Sequence, residues 1–234
     1  MRSLILIYSL FVLLACAKQD TPLPTQVAKE ASKTYRYLAL GDSYTIGTAI
    51  GPENSYAAIL GDSLAITNPE DSLVYEVIAK NGWTTKDLLQ GISASQPDSS
   101  FDVVSILIGV NNQYQRRSIA EYESEFKILL EKAASFGKQD YSNVVVISIP
   151  DWGVSPAGAA NRAQVASEID AFNAAQKLIC DTLGVRFIDI TPLSRTALNN
   201  AALIASDGLH FSSEMHRLWT KLIFEDWKER LSDD

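Results

Sequence analysis

The sequence predicts an α/β domain built on one five-stranded, mostly parallel sheet with helices on both faces. Three observations predict it. Apolar runs of strand length recur five times, helical patterns stand between them, and the third run, Phe101 to Ile108, is almost wholly apolar, as in a strand covered on both faces. The 234 residues are enough for one such domain with a sizeable core. Right-handed crossovers between parallel strands put every strand-to-helix loop on one edge of the sheet.

In chain order, Tyr35 to Leu40 is the first strand, stopping at Gly41-Asp42-Ser43. Ser55 to Leu64 is helical and Leu73 to Ala79 is the second strand. Asn81-Gly82-Trp83-Thr84 is a turn into a helix from Lys86 to Leu89, with Thr84 or Thr85 as its N-cap. Phe101 to Ile108 ends in Gly109-Val110-Asn111-Asn112-Gln113. Ser118 to Phe136 is a long amphipathic helix, with Ser118 and Glu121 in capping-box spacing. Asn143 to Ile149 is the fourth strand, followed by Pro150-Asp151-Trp152-Gly153 and a small-residue loop, Val154 to Ala160. Gln164 to Leu183 is a helix closed by Gly184, and Phe187 to Ile190 is a short fifth strand. Ser206 to Phe211 is a loop, and Ser212 caps a final helix reaching about Leu231.

The amino end reads as a processing segment. Met1-Arg2-Ser3 is a short basic start, and Leu4 to Ala15 is an apolar stretch too short to span a bilayer, which takes about 20 residues. Leu13-Leu14-Ala15-Cys16 resembles the lipobox of bacterial lipoproteins. On that resemblance residues 1–15 are a signal peptide, Cys16 carries the lipid, and the protein sits in the bacterial cell envelope, periplasmic or surface-exposed, held to a membrane by several acyl chains. Residues 16–33, polar with Pro22 and Pro24, form a tether, and 34–234 form the domain.

Composition excludes several classes. A net charge of −8 without a Lys/Arg cluster argues against nucleic acid as a partner. Two cysteines cannot form a disulfide framework, and Cys180, beside Leu178 and Ile179 in a helical pattern, reads as a buried apolar residue. The two histidines, His210 and His216, stand six residues apart, without the i, i+4 spacing of a helical zinc site, so a metal-dependent hydrolase is a weak reading, and no motif here calls for a cofactor.

Ligands bind beyond the carboxyl ends of the strands in open α/β sheets. An Asp-Ser at such a place is by turn statistics a cap or a turn, but here the other loops of that edge, or next to it, carry Gly82, Asn111 and the pair Asp207 and His210. A serine becomes a nucleophile when a base takes its proton, and a histidine does this when an acid fixes its tautomer. Ser43, His210 and Asp207 supply the three types, and Asp207 precedes His210 by three residues, a spacing at which a tight loop folds the carboxylate back against the ring. His216 lies in the final helix pattern, so His210 is the candidate base. The main-chain N–H groups of Ser43 and Gly82 and the side-chain amide of Asn111 are candidate donors to an oxyanion.

From Tyr35 to the last helix the chain resembles the SGNH hydrolases, the GDSL-type esterases and lipases. The resemblance rests on Gly41-Asp42-Ser43, the isolated Gly82, Gly109-Val110-Asn111 and Asp207-Gly208-Leu209-His210, four short blocks in order, each after the right element. It implies a flavodoxin-like three-layer sandwich and hydrolysis of esters or thioesters without metal, with acetyl or longer acyl esters of carbohydrate or lipid as substrates. One position departs from the pattern. Asn112 stands where the family usually has Asp, and an uncharged amide there is expected to brace its loop. Asn112 is also the one feature favouring the alternative, a non-catalytic envelope binding lipoprotein on the same fold. Asp42 reads as structural, and Asp151 and Trp152 as pocket lining or plain loop.

Overall fold

The computed structural model describes residues 33–67 and 72–231. The expected signal segment, Cys16 and the tether up to residue 32 lie outside the described residues. Five strands, β1 (Thr34–Gly41), β2 (Ser72–Ala79), β3 (Val103–Leu107), β4 (Val144–Ile147) and β5 (Arg186–Ile188), form one sheet in the order β2-β1-β3-β4-β5. Every pairing in it is parallel. In this flavodoxin-like order the chain first steps from β1 to β2 and then crosses back to β3, so the switch point lies between β1 and β3.

Among the described residues eight α-helices join and flank the strands: α1 (Ser43–Ile46), α2 (Tyr56–Thr67), α3 (Thr85–Ser95), α4 (Val110–Tyr114), α5 (Ile119–Phe136), α6 (Arg162–Leu183), α7 (Thr191–Arg195) and α8 (Ser213–Leu231). α2 packs on α8, while α5 packs on both α3 and α6. The core is where the apolar runs predicted it. Tyr37 to Leu40 and Val144 to Ile147 have no exposed surface, as a sheet covered on both faces requires. Tyr37 is kept there by its hydroxyl, 2.7 Å from Ser105 Oγ. Cys180 is buried too, and burial pushes its thiol up to about 12, an unreactive state.

Helix ends follow local chemistry. Thr84 caps α3 in a capping box with Asp87, Ser118 Oγ accepts from Glu121 N at 3.1 Å, Ser212 Oγ accepts from Met215 N at 3.4 Å, and Gly184 closes α6 in the left-handed region. Several expectations need correction at their ends. The fourth strand stops at Ile147, not Ile149, because Asn173 takes over the ladder: its Oδ1 accepts from Ile149 N at 2.8 Å and its Nδ2 donates to Ile149 O at 3.0 Å. The fifth strand stops at Ile188, and Ile190 N donates to Ser148 Oγ at 2.8 Å. α3 runs far beyond Leu89, to Ser95. The expected loop after β4 holds two short 3-10 turns, Trp152–Val154 and Ala159–Asn161.

Candidate active site

The parallel sheet brings the three strand-end segments to one edge. Ser43 is the first residue of α1, directly beyond β1; Gly82 follows β2; Asn111 is the second residue of α4, beyond β3. Ser43 and Asn111 thus flank the switch point. Asp42 caps α1, its Oδ1 accepting from Tyr44 N at 3.1 Å, and the helix ends at once on Gly47 in the left-handed region. The Ser43 side chain is nearly buried and makes no hydrogen bond to a described residue.

The fourth segment reaches this edge from the far end of the chain. Ala205 N donates to His210 O at 2.8 Å, and Ile204 bridges Phe211, closing a narrow loop. A contact from Ala157 N to Gly208 O, 3.0 Å, ties that loop to the turn after β4. Within it Asp207 accepts three hydrogen bonds: His210 Nδ1 on Oδ2 at 2.6 Å, and Leu209 N and His210 N on Oδ1, each at 3.0 Å. Partial burial pulls the Asp207 pKa upward, but the bonds from the ring and the two N–H groups outweigh it and hold the carboxyl below its ordinary value. With Nδ1–H donating to the carboxylate, His210 Nε2 is left as the acceptor. The His210 ring stands edge-on to Tyr44, 5.6 Å between centroids, which sets it beside α1. No hydrogen bond joins the Ser43 and His210 side chains in this structure.

The candidate donors are unspent. Neither the Ser43 nor the Gly82 main-chain N–H has an acceptor among the described residues. Gly82 has φ +78, and a Cβ on it would meet nothing within 4 Å, so its face opens on free space. Asn111 Nδ2 donates one hydrogen to Trp83 O at 3.0 Å and keeps a second. Gly109, at φ +127, has no room for a Cβ: Ile149 Cδ1 would lie 2.6 Å away. That lets the chain turn sharply from β3 into α4. Asn112 braces this turn, its Oδ1 accepting from Thr85 N at 3.0 Å and its Nδ2 donating to Thr85 Oγ1 at 2.7 Å.

The remaining candidates are structural. His216 is buried, its Nδ1 accepting from Tyr56 N at 3.1 Å, so it caps α2 from α8. Asp151 accepts from Gly153 N at 2.9 Å and from Arg195 Nε at 2.8 Å, which fixes the turn after β4. Trp152 Nε1 donates to Gln113 Oε1 at 2.8 Å, and the ring lies against exposed Tyr114. Residues the sequence did not single out are Gln113 and Glu125; Glu125 accepts from Thr85 Oγ1. Gln113 stands two residues after a named block, whereas Glu125, within α5, has no local signal.

Two buried ionisable groups give the domain an unusual acid–base profile. Burial pushes Asp42 up to about 7, against the pull of Tyr44 N–H, and its Oδ2 has no partner among the described residues. Burial, helped by repulsion from His210, pulls His216 down to about 3. Asp42 has a raised folded pKa, so its contribution is complete below its unfolded value of 3.8 and is lost as pH rises to about 7. His216 has a depressed one, so its contribution is complete above 6.5 and is lost as pH falls to about 3. The slopes cancel between 3.8 and 6.5. Above about pH 5, where carboxyls with lowered values such as Asp207 have finished titrating, thermal melts should therefore be flat up to 6.5 in the wild type. In His216→Gln the melting temperature should fall with rising pH, and in Asp42→Asn it should climb, each by about 1.4 kcal/mol per pH unit at most. Parallel profiles in all three proteins would refute the assignment.

Below the start of α1, on the β2 side, lies a groove of about 580 Å³. Ile46, Ala49, Pro52, Tyr75, Val77 and Ala79 line it together with polar residues such as Thr48 and Asn81, and no acidic residue, lysine, arginine or histidine is among its walls. Both its size and its apolar lining suit a small-molecule site.

The profile of the GDSL-like lipase/acylhydrolase family matches residues 39–218, which includes every block of this edge. No curated protein matches the sequence. The fold is similar to the lipase/acylhydrolase from Enterococcus faecalis, with TM-score 0.65 and 18% identity over 84% of this chain and 96% of that one. It is similar to the psychrotrophic esterase EstA from Pseudoalteromonas sp., with TM-score 0.64 and 15% identity over 84% of this chain and 98% of that one. It is also similar to Axe2, an acetylxylan esterase from Geobacillus stearothermophilus, with TM-score 0.64 and 20% identity over 84% and 95% of the two chains.

Proposed function

The chain belongs to the GDSL-like lipase/acylhydrolase family and is a carboxylic ester hydrolase, and from that premise we propose that it works through a Ser43 acyl-enzyme with His210 and Asp207. The observation that carries this is the Asp207–His210 pair at 2.6 Å beside α1, with His210 Nε2 left as an acceptor. His210 takes the Ser43 proton as the oxygen attacks the ester carbonyl. The carbonyl oxygen becomes an oxyanion held by the Ser43 and Gly82 N–H groups and the free hydrogen of Asn111 Nδ2. His210 then protonates the leaving alcohol, and water repeats the two steps on the acyl-enzyme. A phosphonate is the fitting probe, since a structure of the Pseudoalteromonas esterase is of the enzyme inhibited by monoethylphosphonate. A fluorophosphonate should label the wild type and not Ser43→Ala; labelling that persists in the variant would sink the assignment.

For the substrate, the same proposal gives the groove beside Asn81 to an uncharged acyl chain. The leaving alcohol must stand next to His210 to receive its proton, and no groove residue comes from the His210 loop. The acyl arm therefore takes the other side, where uncharged walls suit it. Val77→Trp, which fills the groove, should cut kcat/KM for p-nitrophenyl octanoate by about tenfold or more while leaving the acetate ester within about twofold. An equal change for both esters would remove the groove from the substrate path.

A further inference from the structure

Resting on the serine-esterase reading above, we infer that Glu125 is a positioning residue: through Thr85 and Asn112 it holds Asn111 and Gly82 in register, and it is what requires an amide at position 112.

The direction of each hydrogen bond can be deduced. A main-chain N–H only donates, so the atom facing Thr85 N, 3.0 Å away, must be the Asn112 oxygen. That turns the Asn112 NH2 toward Thr85 Oγ1, 2.7 Å away. The NH2 group only donates, so the hydroxyl oxygen accepts there and its single proton must go elsewhere. Glu125 takes it on Oε2. The chain of bonds runs Asn112 to Thr85 to Glu125, from α4 through the first residue of α3 to α5.

This chain spans the two segments that carry the proposed oxyanion donors. Asn111 precedes Asn112, and Gly82 lies three residues before Thr85. The bond from Asn111 Nδ2 to Trp83 O, 3.0 Å, joins the same two segments a second time. If the bracket opens, Asn111 shifts against Gly82, and an oxyanion site tolerates little such shift.

A carboxylate at 112 would break the logic. Both of its oxygens accept, so two carboxylates would face one hydroxyl proton, and one of them must bind a proton or move away. Removing the charge at 125 repairs it, because a carboxamide there donates to the hydroxyl and the hydroxyl donates on to the new carboxylate. Both bonds of the hydroxyl are then reversed, the bond from Thr85 N is kept, and none is lost.

The experiment uses wild type, Asn112→Asp, Glu125→Gln and the double variant, with p-nitrophenyl acetate kinetics and thermal melts. At about pH 8, Asn112→Asp should lower kcat about 10²-fold with KM changed less than about threefold. Relative to wild type, the loss should shrink as pH falls toward about 5, where one carboxyl takes a proton. Glu125→Gln alone should cost less than about tenfold, since its amide still offers an oxygen, and the double variant should return to within about threefold of wild type. Asn112→Asp with wild-type kcat from about pH 5 to 9 overturns the inference, as does a loss that neither acid nor the second substitution reverses. A melting temperature that follows this pattern with kcat unmoved keeps the bracket but removes its positioning role. A folded wild type that hydrolyses no ester sinks the esterase reading and the positioning role with it, while the melting pattern still decides the bracket.

Discussion

Ser43→Ala should lower kcat/KM for any ester the protein accepts by about 10⁴–10⁶-fold while leaving the fold in place. The size of the loss follows from chemistry: without the Ser43 hydroxyl no acyl-enzyme can form, and water must then attack unaided. The intact fold follows from the structure. The Ser43 side chain makes no hydrogen bond to a described residue, so its removal leaves no partner unsatisfied. α1 keeps its start, because the cap is Asp42 on Tyr44 N at 3.1 Å. Alanine is a good helix residue, so the stability change should stay within about 1 kcal/mol. Circular dichroism melts and p-nitrophenyl acetate kinetics on the same preparations check both halves. A variant that keeps a tenth or more of the wild-type rate would show that the nucleophile lies elsewhere. A variant that fails to fold would show that Ser43 is part of the core and not of the chemistry.

How much of this edge could be read beforehand depended on which physical signal each residue leaves in the chain. Strand runs with no polar interruption predict a doubly covered parallel sheet, and a parallel sheet sends every strand end to one edge. That alone collects Ser43, Gly82 and Asn111. The Asp207–His210 contact was legible because they stand three positions apart and the turn between holds Gly208 at φ +70. α1, α4 and α7 left no trace, since four or five residues are too few to show a helical period. The ends of β4 and β5 were missed for another reason. Ile149 and Ile190 are as apolar as strand residues, but their N–H groups are taken by Asn173 and Ser148, side chains 24 and 42 residues away in sequence. The bracket of Asn112, Thr85 and Glu125 is tertiary in the same sense. Asn112 alone looks like a lost charge, and only Glu125, brought up by α5, shows where a carboxylate of that cluster stands.

Asp207→Asn separates orientation from packing in the proposed triad, and kcat should fall about 10⁴-fold with little change in melting temperature at neutral pH. Two of the three bonds to this side chain survive the change. An asparagine Oδ1 still accepts from Leu209 N and His210 N, which hold the loop. The third is inverted. In place of the oxygen 2.6 Å from His210 Nδ1 there would be an NH2 group, which only donates. Nδ1 must then accept, the ring proton moves to Nε2, and the nitrogen facing Ser43 can no longer take a proton. The imidazolium formed during attack also loses its counter-charge. Asp207→Ala should add a drop in melting temperature, since it removes the two main-chain bonds as well. Comparing the two variants by kcat, melting temperature and fluorophosphonate labelling rate distinguishes the causes. If Asp207→Asn labels and turns over like wild type, the carboxylate only shapes the loop, and the ring of His210 is oriented by its contact with Tyr44, 5.6 Å between centroids, instead. If Asp207→Asn is inactive and melts like wild type while Asp207→Ala melts lower, the carboxylate sets the tautomer and the turn supplies the stability.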